Sequence, residues 1–184
     1  MAELEDGHDA VPGRRRRPAT VREAKALAHP LRVRILRLCL HRELTNKELA
    51  DRLDTTPGTV LYHVRQLVDA GLLAAAPVRT GDSGALEKPY RSTGETWWLS
   101  LDDGESGGVP AAAPLAAFQE ELGEAGPESV RGFARFVLHL SDEDVAELDR
   151  RIVAVLDAFV ATDDERRDQP VYSGMFVLHR PAES

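Results

Sequence analysis

Apolar residues recur at helical spacing in the first half of the chain, between short stretches that are typical of helix ends. Thr20 and Glu23 have the spacing of a capping box, which predicts a helix from this point to the region before Pro30. Because proline is tolerated in the first turn of a helix, we expect a second helix to begin at Pro30, with Leu31 and Ile35 on its apolar stripe. The arginines of this second helix are assigned to its remaining surface: Arg32, Arg34 and Arg37.

Two further helices are predicted by the residues that start and stop them. Thr45 and Glu48 form a second capping-box pattern, followed by two leucines four residues apart. Thr56 is placed to cap a fourth helix whose first residue is a proline, and Gly71 is suited to the left-handed position that ends a helix. The sequence therefore predicts a short third helix and a fourth helix over residues 57–70.

The fourth helix has two different faces. At about 100° per residue, Val60, Val64 and Leu67 point one way, and we expect them to pack inward. The opposite side carries hydrogen-bonding groups that suit base edges and phosphates, and His63 falls at its margin. The outward residues are Thr59, Tyr62, Arg65 and Gln66.

A β-hairpin is predicted over residues 72–93, because two extended runs flank a turn-rich segment. It carries Arg79, Lys88 and Arg91, which are placed where a wing can reach along a sugar-phosphate backbone. Three helices, with the last two joined by a short capped turn, followed by a basic hairpin form the winged helix-turn-helix plan.

The second half of the chain has a different pattern. Residues 102–111 have the composition of a linker, and helices are predicted over 112–124 and 127–140. Ser141 and Asp144 then form a capping box before a helix with a strongly apolar face. The run between Pro170 and Pro181 is rich in β-branched and aromatic residues and is predicted to be a strand.

These elements predict a mainly α fold with a small β component. We expect a flexible tail over residues 1–18, a winged-helix domain over 19–101 and the linker over 102–111. A helical region that ends in a strand is expected over 112–184, where it serves dimerisation or responds to an effector. The sequence leaves open whether the apolar helix of this region forms a dimer seam or a small-molecule pocket.

Charge is distributed unevenly along the chain, whose formal net charge is -8. Residues 14–98 hold 16 lysines and arginines against 9 acidic residues, whereas residues 99–184 hold 7 against 18. A basic segment followed by an acidic one is typical of a DNA-binding domain joined to a separate dimerisation or sensing part. The arginine run at 14–17 is suited to phosphates, or it is a solvated arm, and the sequence does not decide.

Several classes of protein are disfavoured by what the sequence lacks. No apolar run approaches the roughly 20 residues that a membrane span needs, and the start of the chain does not resemble a signal peptide, so we expect a cytoplasmic protein with no membrane partner. The single cysteine excludes an intramolecular disulfide and a thiolate metal cluster within one chain. No phosphate loop, nucleophile elbow or paired carboxylate motif is present, which predicts no enzyme activity and no cofactor.

The segments LAHPLRVRILRLCL and ELTNKELADRLDTTPGTVLYHVRQLVDAGLL, with a hairpin ending in KPYRST, resemble ArsR-like winged-helix repressors. The resemblance covers about residues 20–98 and is greatest for the broad bacterial subgroup that is not restricted to metals. It implies a homodimer that binds an inverted repeat in double-stranded DNA and acts as a repressor. Two copies of the helix over 57–70 then lie in successive major grooves about 10 bp apart.

The resemblance also implies roles for individual residues. Base-edge contacts are expected from one set of side chains: Thr56, Thr59, Tyr62 and Gln66. His63 and Arg65 are expected at phosphates or the groove wall, and Thr55 belongs to the same predicted interface. The wing contributes Arg79, Lys88 and Arg91. Leu61 departs from the relatives, which often have a small polar residue there, so individual contacts need not carry over.

The sequence allows two alternative functions. A metal-responsive repressor needs a ligand set, for which the candidates are Cys39, His41, His139, Asp142 and Glu143. Cys39 lies among apolar positions and is predicted to be a core residue, so no metal site is expected. A winged helix that binds a protein partner is expected to expose an apolar patch, whereas the outward face here is polar, which favours DNA.

Overall fold

The computed structural model describes residues 16–81, 84–100 and 111–182. The chain divides into two compact units, one containing the described residues up to Val130 and the other the described residues from Arg131. The first unit contains the predicted winged helix-turn-helix, so the predicted fold class, mainly helical with a small β component, is confirmed. The linker predicted over 102–111 lies outside the described residues except for Ala111.

The four predicted helices of the first unit are all present, and each begins where the sequence predicted it. Their bounds are α1 Val21–Leu27, α2 Pro30–Leu38, α3 Asn46–Arg52 and α4 Pro57–Asp69. The hydroxyls of Thr20 and Thr45 accept hydrogen bonds from the third helical N–H, and the glutamate at that position closes each capping box. Gly71 follows the C-cap of α4 with a φ of 73°, a left-handed conformation that glycine adopts without strain.

The β structure consists of short strands. They are β1 Arg17–Pro18, β2 Leu73–Ala75, β3 Arg79–Thr80, β4 Leu86–Glu87, β5 Tyr90–Ser92 and β6 Leu99–Ser100. The predicted hairpin is present, since β2 pairs with β5 and β3 pairs with β4, both antiparallel. Leu44, in the segment before α3, exchanges backbone hydrogen bonds with Tyr90 at 2.8 and 3.0 Å, which joins the inner part of the hairpin to the helices.

The core of the first unit lies between the helices and the inner strands of the hairpin. Its fully buried side chains include Ile35, Leu49, Val60, Leu67 and Leu72. These residues come from α2, α3, α4 and the start of the hairpin, so one core fixes the orientation of all four. Burial of this apolar surface is the main favourable contribution to the fold.

A fifth helix, α5 Ala112–Ala125, packs against α2, and its Ala113 and Ala117 are buried. The assignment of Arg32 and Arg34 to the surface of α2 was wrong, because both side chains are buried. Arg34 donates to Glu120 at 3.0 Å and to Glu124 at 2.5 Å, both on α5. Its charge is therefore neutralised by residues that lie 86 and 90 positions later in the chain, which a local pattern cannot reveal.

The second unit contains one long helix, α6 Asp142–Ala161, which begins at the predicted capping box of Ser141 and Asp144. The helix predicted over 127–140 was wrong, because only Pro127–Ser129 form a single 3-10 turn there. Phe133 and Val137 along this segment remain more than four-fifths exposed. No described residue buries the side chains of residues 131–140, and burial of an apolar face supplies most of the stability of helices in proteins.

The strand predicted near the C-terminus was also wrong. The described residues from 170 to 182 form neither helix nor strand. A strand requires a hydrogen-bonded neighbour, and no segment within 131–182 pairs with it. The β-branched and aromatic content of this run is therefore not sufficient to form a strand within this unit.

Candidate nucleic-acid interface

The orientation of α4 is fixed by its buried side. Val60, Val64 and Leu67 are at most 1% exposed, as the helical spacing predicted. Tyr62, on the opposite side, is 61% exposed, and Thr59 and Arg65 are also exposed. The structure therefore presents an accessible polar ridge along the first three turns of this helix.

The N-terminus of α4 adds two exposed hydroxyl groups to this ridge. The Thr56 hydroxyl accepts a hydrogen bond from the Thr59 N–H at 3.2 Å, and the two hydroxyl oxygens are 2.9 Å apart. Thr55 is partly exposed beside them. The positive end of the helix dipole favours an anion at this position, so this end of α4 is suited to a phosphate.

The turn between α3 and α4 sets the angle at which α4 is presented. Asp54 has a φ of 46°, in the left-handed region, and the Thr55 N–H donates to the Ala50 carbonyl at 3.0 Å. This conformation reverses the chain within a few residues of the end of α3. The two helices pack against each other, which is the helix-turn-helix arrangement.

Gln66 is less exposed than the rest of the ridge. It lines a surface cleft of about 660 Å³ between α1 and α4, together with Arg22, Lys25 and Asp69. The Arg22 guanidinium donates to the Asp69 carbonyl at 3.3 Å on the rim of this cleft. The side chain of Gln66 is therefore closer to α1 than the helical pattern indicated, although it remains partly accessible.

His63 is buried, so its predicted place at the outer margin of α4 has to be corrected. It is 7% exposed and lies behind Tyr62, with its Nδ1 3.5 Å from Nη1 of Arg32. Burial lowers the pKa of His63, and the neighbouring His29 and Arg32 lower it further. His63 is therefore a neutral core residue that does not reach a phosphate in this conformation.

The hairpin places its three basic residues in different surroundings. Lys88 and Arg91 are exposed and form no ion pair with any described residue. Arg79 is also exposed, but its guanidinium is hydrogen-bonded to Glu48 and Glu87. The sequence assigned Glu48 only to the capping box of α3, because a partner 31 residues away leaves no local signal.

Two arginines of the basic run at 14–17 have structural contacts. Arg16 donates to the Trp97 carbonyl at 3.1 Å and lies over the Trp97 ring at 4.6 Å. Arg17 forms an ion pair with Glu23 at 2.6 Å, and this hydrogen-bonded pair lowers the pKa of Glu23 to about 2. Residues 16–18 of the predicted flexible tail therefore belong to the folded first unit, where Arg17 and Pro18 pair with β6. Residues 1–15 lie outside the described residues.

The candidate metal ligands do not come together in the part of the chain that the structure describes, where no group of three or more His, Cys, Asp or Glu residues is arranged to hold a metal. Cys39 is buried, as predicted, and burial raises the pKa of its thiol to about 12. A thiol with this pKa is protonated at neutral pH, which opposes metal binding because the thiolate is the ligand form.

Comparison with known protein families locates the same region. Residues 27–74, roughly a quarter of the chain, match the model of a family described as "Helix-turn-helix domain". No curated protein matches the chain. Among the described residues, no helix is both long and apolar enough to cross a membrane. The matched range covers α2, α3 and α4 and reaches into β2, so the chain carries a helix-turn-helix domain of the kind found in DNA-binding regulators.

Proposed function

We propose that this protein is a sequence-specific, DNA-binding transcription regulator that acts as a repressor in the cytoplasm. In this proposal, α4 enters the major groove and the hairpin over 72–93 lies along the sugar-phosphate backbone. The observation that carries the proposal is the exposed polar ridge of α4 at Thr59, Tyr62 and Arg65. A helix that docks a protein partner is expected to expose apolar side chains there instead.

The proposed contacts follow from position along α4. Tyr62 and Thr59 lie on the ridge, and we assign them to contacts with base edges. Gln66 is assigned to a contact at the periphery of the same DNA site. Thr55 and Thr56, beside the helix N-terminus, are assigned to the groove entrance. Arg65 is long and exposed and is assigned to a phosphate.

The wing contributes contacts that carry no sequence information. Lys88 and Arg91 extend from the hairpin without an ion pair to a described residue, so each is available to a phosphate. Each such contact releases counterions, and binding is therefore expected to weaken steeply as salt increases.

We further propose that the protein binds an inverted repeat as a homodimer. Support comes from α6, of whose residues none is buried and whose apolar side is exposed at Val155, Leu156 and Phe159. A second copy that covers this side removes apolar surface from water and presents two α4 helices to two half-sites. A small-molecule effector that shifts the spacing of these helices remains a proposal for the same region.

A binding experiment with the region upstream of the protein's own gene tests the proposal. Wild type, Tyr62→Ala and Gln66→Ala are compared in gel-shift titrations, with Tyr172→Ala as the control, since Tyr172 is an exposed tyrosine of the second unit. Loss of about 1 to 3 kcal/mol of binding free energy is expected for Tyr62→Ala if it contacts a base. Equal binding by Tyr62→Ala and Tyr172→Ala contradicts the proposed role of α4.

A further inference from the structure

Among the described residues, the outer part of the hairpin, β3 and β4, is hydrogen-bonded to the helices through the side chain of Arg79. The Arg79 Nη2 donates to both carboxylate oxygens of Glu48 on α3, at 2.9 and 3.0 Å. Its Nε donates to Glu87 on β4 at 3.1 Å, and its Nη1 is 3.5 Å from the Glu43 carbonyl oxygen. The planar guanidinium therefore joins β3, β4 and the start of α3, and all three of its nitrogens have partners.

Glu48 has a second contact that fixes its position. It is the third residue of α3, and its carboxylate accepts the Thr45 N–H at 2.7 Å in the capping box. The hydrogen bond from Thr45 and the charge of Arg79 both lower the pKa of Glu48, so the carboxylate is ionised at neutral pH. Arg79 is consequently held by a group that the helix itself keeps in place.

No other hydrogen bond joins the described residues of the outer hairpin to the helices. The inner part of the hairpin is held differently, by the backbone pairing of Tyr90 with Leu44 and by the Ser92 N–H, which donates to the Cys39 carbonyl at 2.9 Å. The direction of β3 and β4 relative to α3 therefore depends on Arg79, whereas the base of the hairpin does not.

The surroundings of Arg79 oppose a phosphate contact. Two carboxylates, Glu48 and Glu87, already neutralise its charge, and a phosphate placed beside it meets repulsion from both. Lys88 and Arg91 on the same hairpin have no such acidic partner among the described residues. Lys88 and Arg91 are therefore available to a phosphate of the DNA, whereas Arg79 is not.

We propose that Arg79 is a positioning residue, which fixes the outer hairpin against α3 through Glu48 and does not itself contact the DNA. This proposal rests on the proposed function, because it concerns how the wing is aimed at the backbone. It changes the role that the sequence indicated for Arg79 and assigns a role in DNA binding to Glu48, which faces the hairpin.

The test compares single and double variants of the full chain on a 30-bp duplex DNA of mixed sequence, by fluorescence anisotropy over a series of salt concentrations. The variants are Arg79→Gln, Arg79→Lys, Glu48→Gln and the Glu48→Gln/Arg79→Gln double variant. Glutamine at position 48 retains the capping box, because its side-chain oxygen also accepts the Thr45 N–H. Arg91→Gln serves as the matched control for a basic wing residue that contacts a phosphate.

The positioning role predicts that Glu48→Gln and Arg79→Gln each weaken binding by the same factor and that the double variant is no weaker than either. Glu48→Gln and Arg79→Gln each retain the wild-type slope of the logarithm of the binding constant against the logarithm of the salt concentration. Arg91→Gln lowers the magnitude of that slope by about 0.9. Arg79→Lys does not restore binding, because an ammonium group lacks the fork that spans two carboxylates. Tighter binding by Glu48→Gln, or a smaller slope for Arg79→Gln, overturns the proposal.

Hydrogen exchange of the free protein separates this proposal from the proposed function. Arg79→Gln and Glu48→Gln are expected to accelerate amide exchange in the hairpin at Gly81, while exchange at Val64 in α4 stays unchanged. If the wild type fails to bind DNA, the proposed function fails, and faster hairpin exchange still supports the link between Arg79 and Glu48. Unchanged hairpin exchange in both variants overturns the link whatever the DNA result.

Discussion

The imidazole rings of His29 and His63 lie 4.5 Å apart and connect the start of α2 with the buried side of α4. His29 caps α2, since its Nδ1 accepts the Leu31 N–H at 3.2 Å. Nδ1 of His63 lies 3.5 Å from Arg32, whose guanidinium also donates to the carbonyls of Ala26 and Lys25. In each ring, Nδ1 is a hydrogen-bond acceptor and therefore has to be unprotonated. The two rings lie behind the ridge of α4 that carries Tyr62.

This cluster predicts a loss of stability in mild acid. Burial lowers the pKa of His29 and of His63 below the ordinary 6.5, with further lowering by Arg32 and, for His63, by His29. The unfolded chain therefore binds more protons than the folded one once the pH falls below about 6.5. The free energy of unfolding in urea is expected to fall between pH 7.5 and 5.5, by at most about 1.4 kcal/mol per pH unit for each histidine.

His29→Asn makes that prediction specific. Asparagine is a good N-cap residue without a titrating ring, so the variant is expected to remain folded at pH 7.5 and to lose less stability at pH 5.5 than the wild type. His179→Gln, an exposed position in the second unit, is the control and should retain the full pH dependence. Identical pH profiles for wild type and His29→Asn contradict this role of His29.

Thr56→Ala is expected to affect both stability and DNA binding. The substitution removes the hydroxyl that accepts the Thr59 N–H, and loss of such a cap costs about 1 kcal/mol. Urea unfolding measures the first effect and gel shift the second. Thr56→Ser retains the acceptor and should restore stability, whereas a Thr56→Ala protein as stable as the wild type argues against the cap.

The ion pairs between α2 and α5 predict a further loss of stability. Glu120→Gln/Glu124→Gln leaves the buried Arg34 without a carboxylate partner, and Nε of Arg34 already has no hydrogen-bond partner. The glutamates are more than half exposed, so the expected loss is limited to about 1–2 kcal/mol in urea unfolding. Glu128→Gln, on an exposed site beyond α5, is the control that should not change stability.

Asp54 predicts a backbone effect in the turn between α3 and α4. A β-branched residue is strained at a φ of 46°, so Asp54→Val is expected to lower the free energy of unfolding by about 1–2 kcal/mol. Asp54→Asn should cost little, since asparagine tolerates the left-handed region. Thermal unfolding of the two variants measures the difference, and equal midpoints contradict the role of this conformation.

Features that depend on local chemistry were predicted correctly from the sequence. Thr20, Thr45 and Ser141 form capping boxes with residues three positions away, and these contacts need no tertiary partner. The inward face of α4 was also correct, because the periodicity of Val60, Val64 and Leu67 reflects one side of a helix. Capping residues or a proline in the first turn predicted the start of every α-helix except α5.

Features that depend on distant partners were not predictable in the same way. The ion pair of Arg79 with Glu48 and the pairs of Arg34 with α5 join residues far apart in sequence. His63 was placed at the edge of a helical face, where only packing against His29 and Arg32 decides burial. The predicted C-terminal strand failed because residue type alone does not supply a neighbouring strand.

The thiol of Cys39 can report when the core of the first unit opens. Cys39 is the single cysteine of the chain, it is completely enclosed, and its thiol is held in the unreactive protonated form. A thiol-reactive dye can therefore label the molecule only while the packing between α2 and the inner hairpin is broken, so each labelled molecule records one such event. When the dye reacts faster than the core recloses, the rate of labelling measures how often that core opens under native conditions, with no engineered probe.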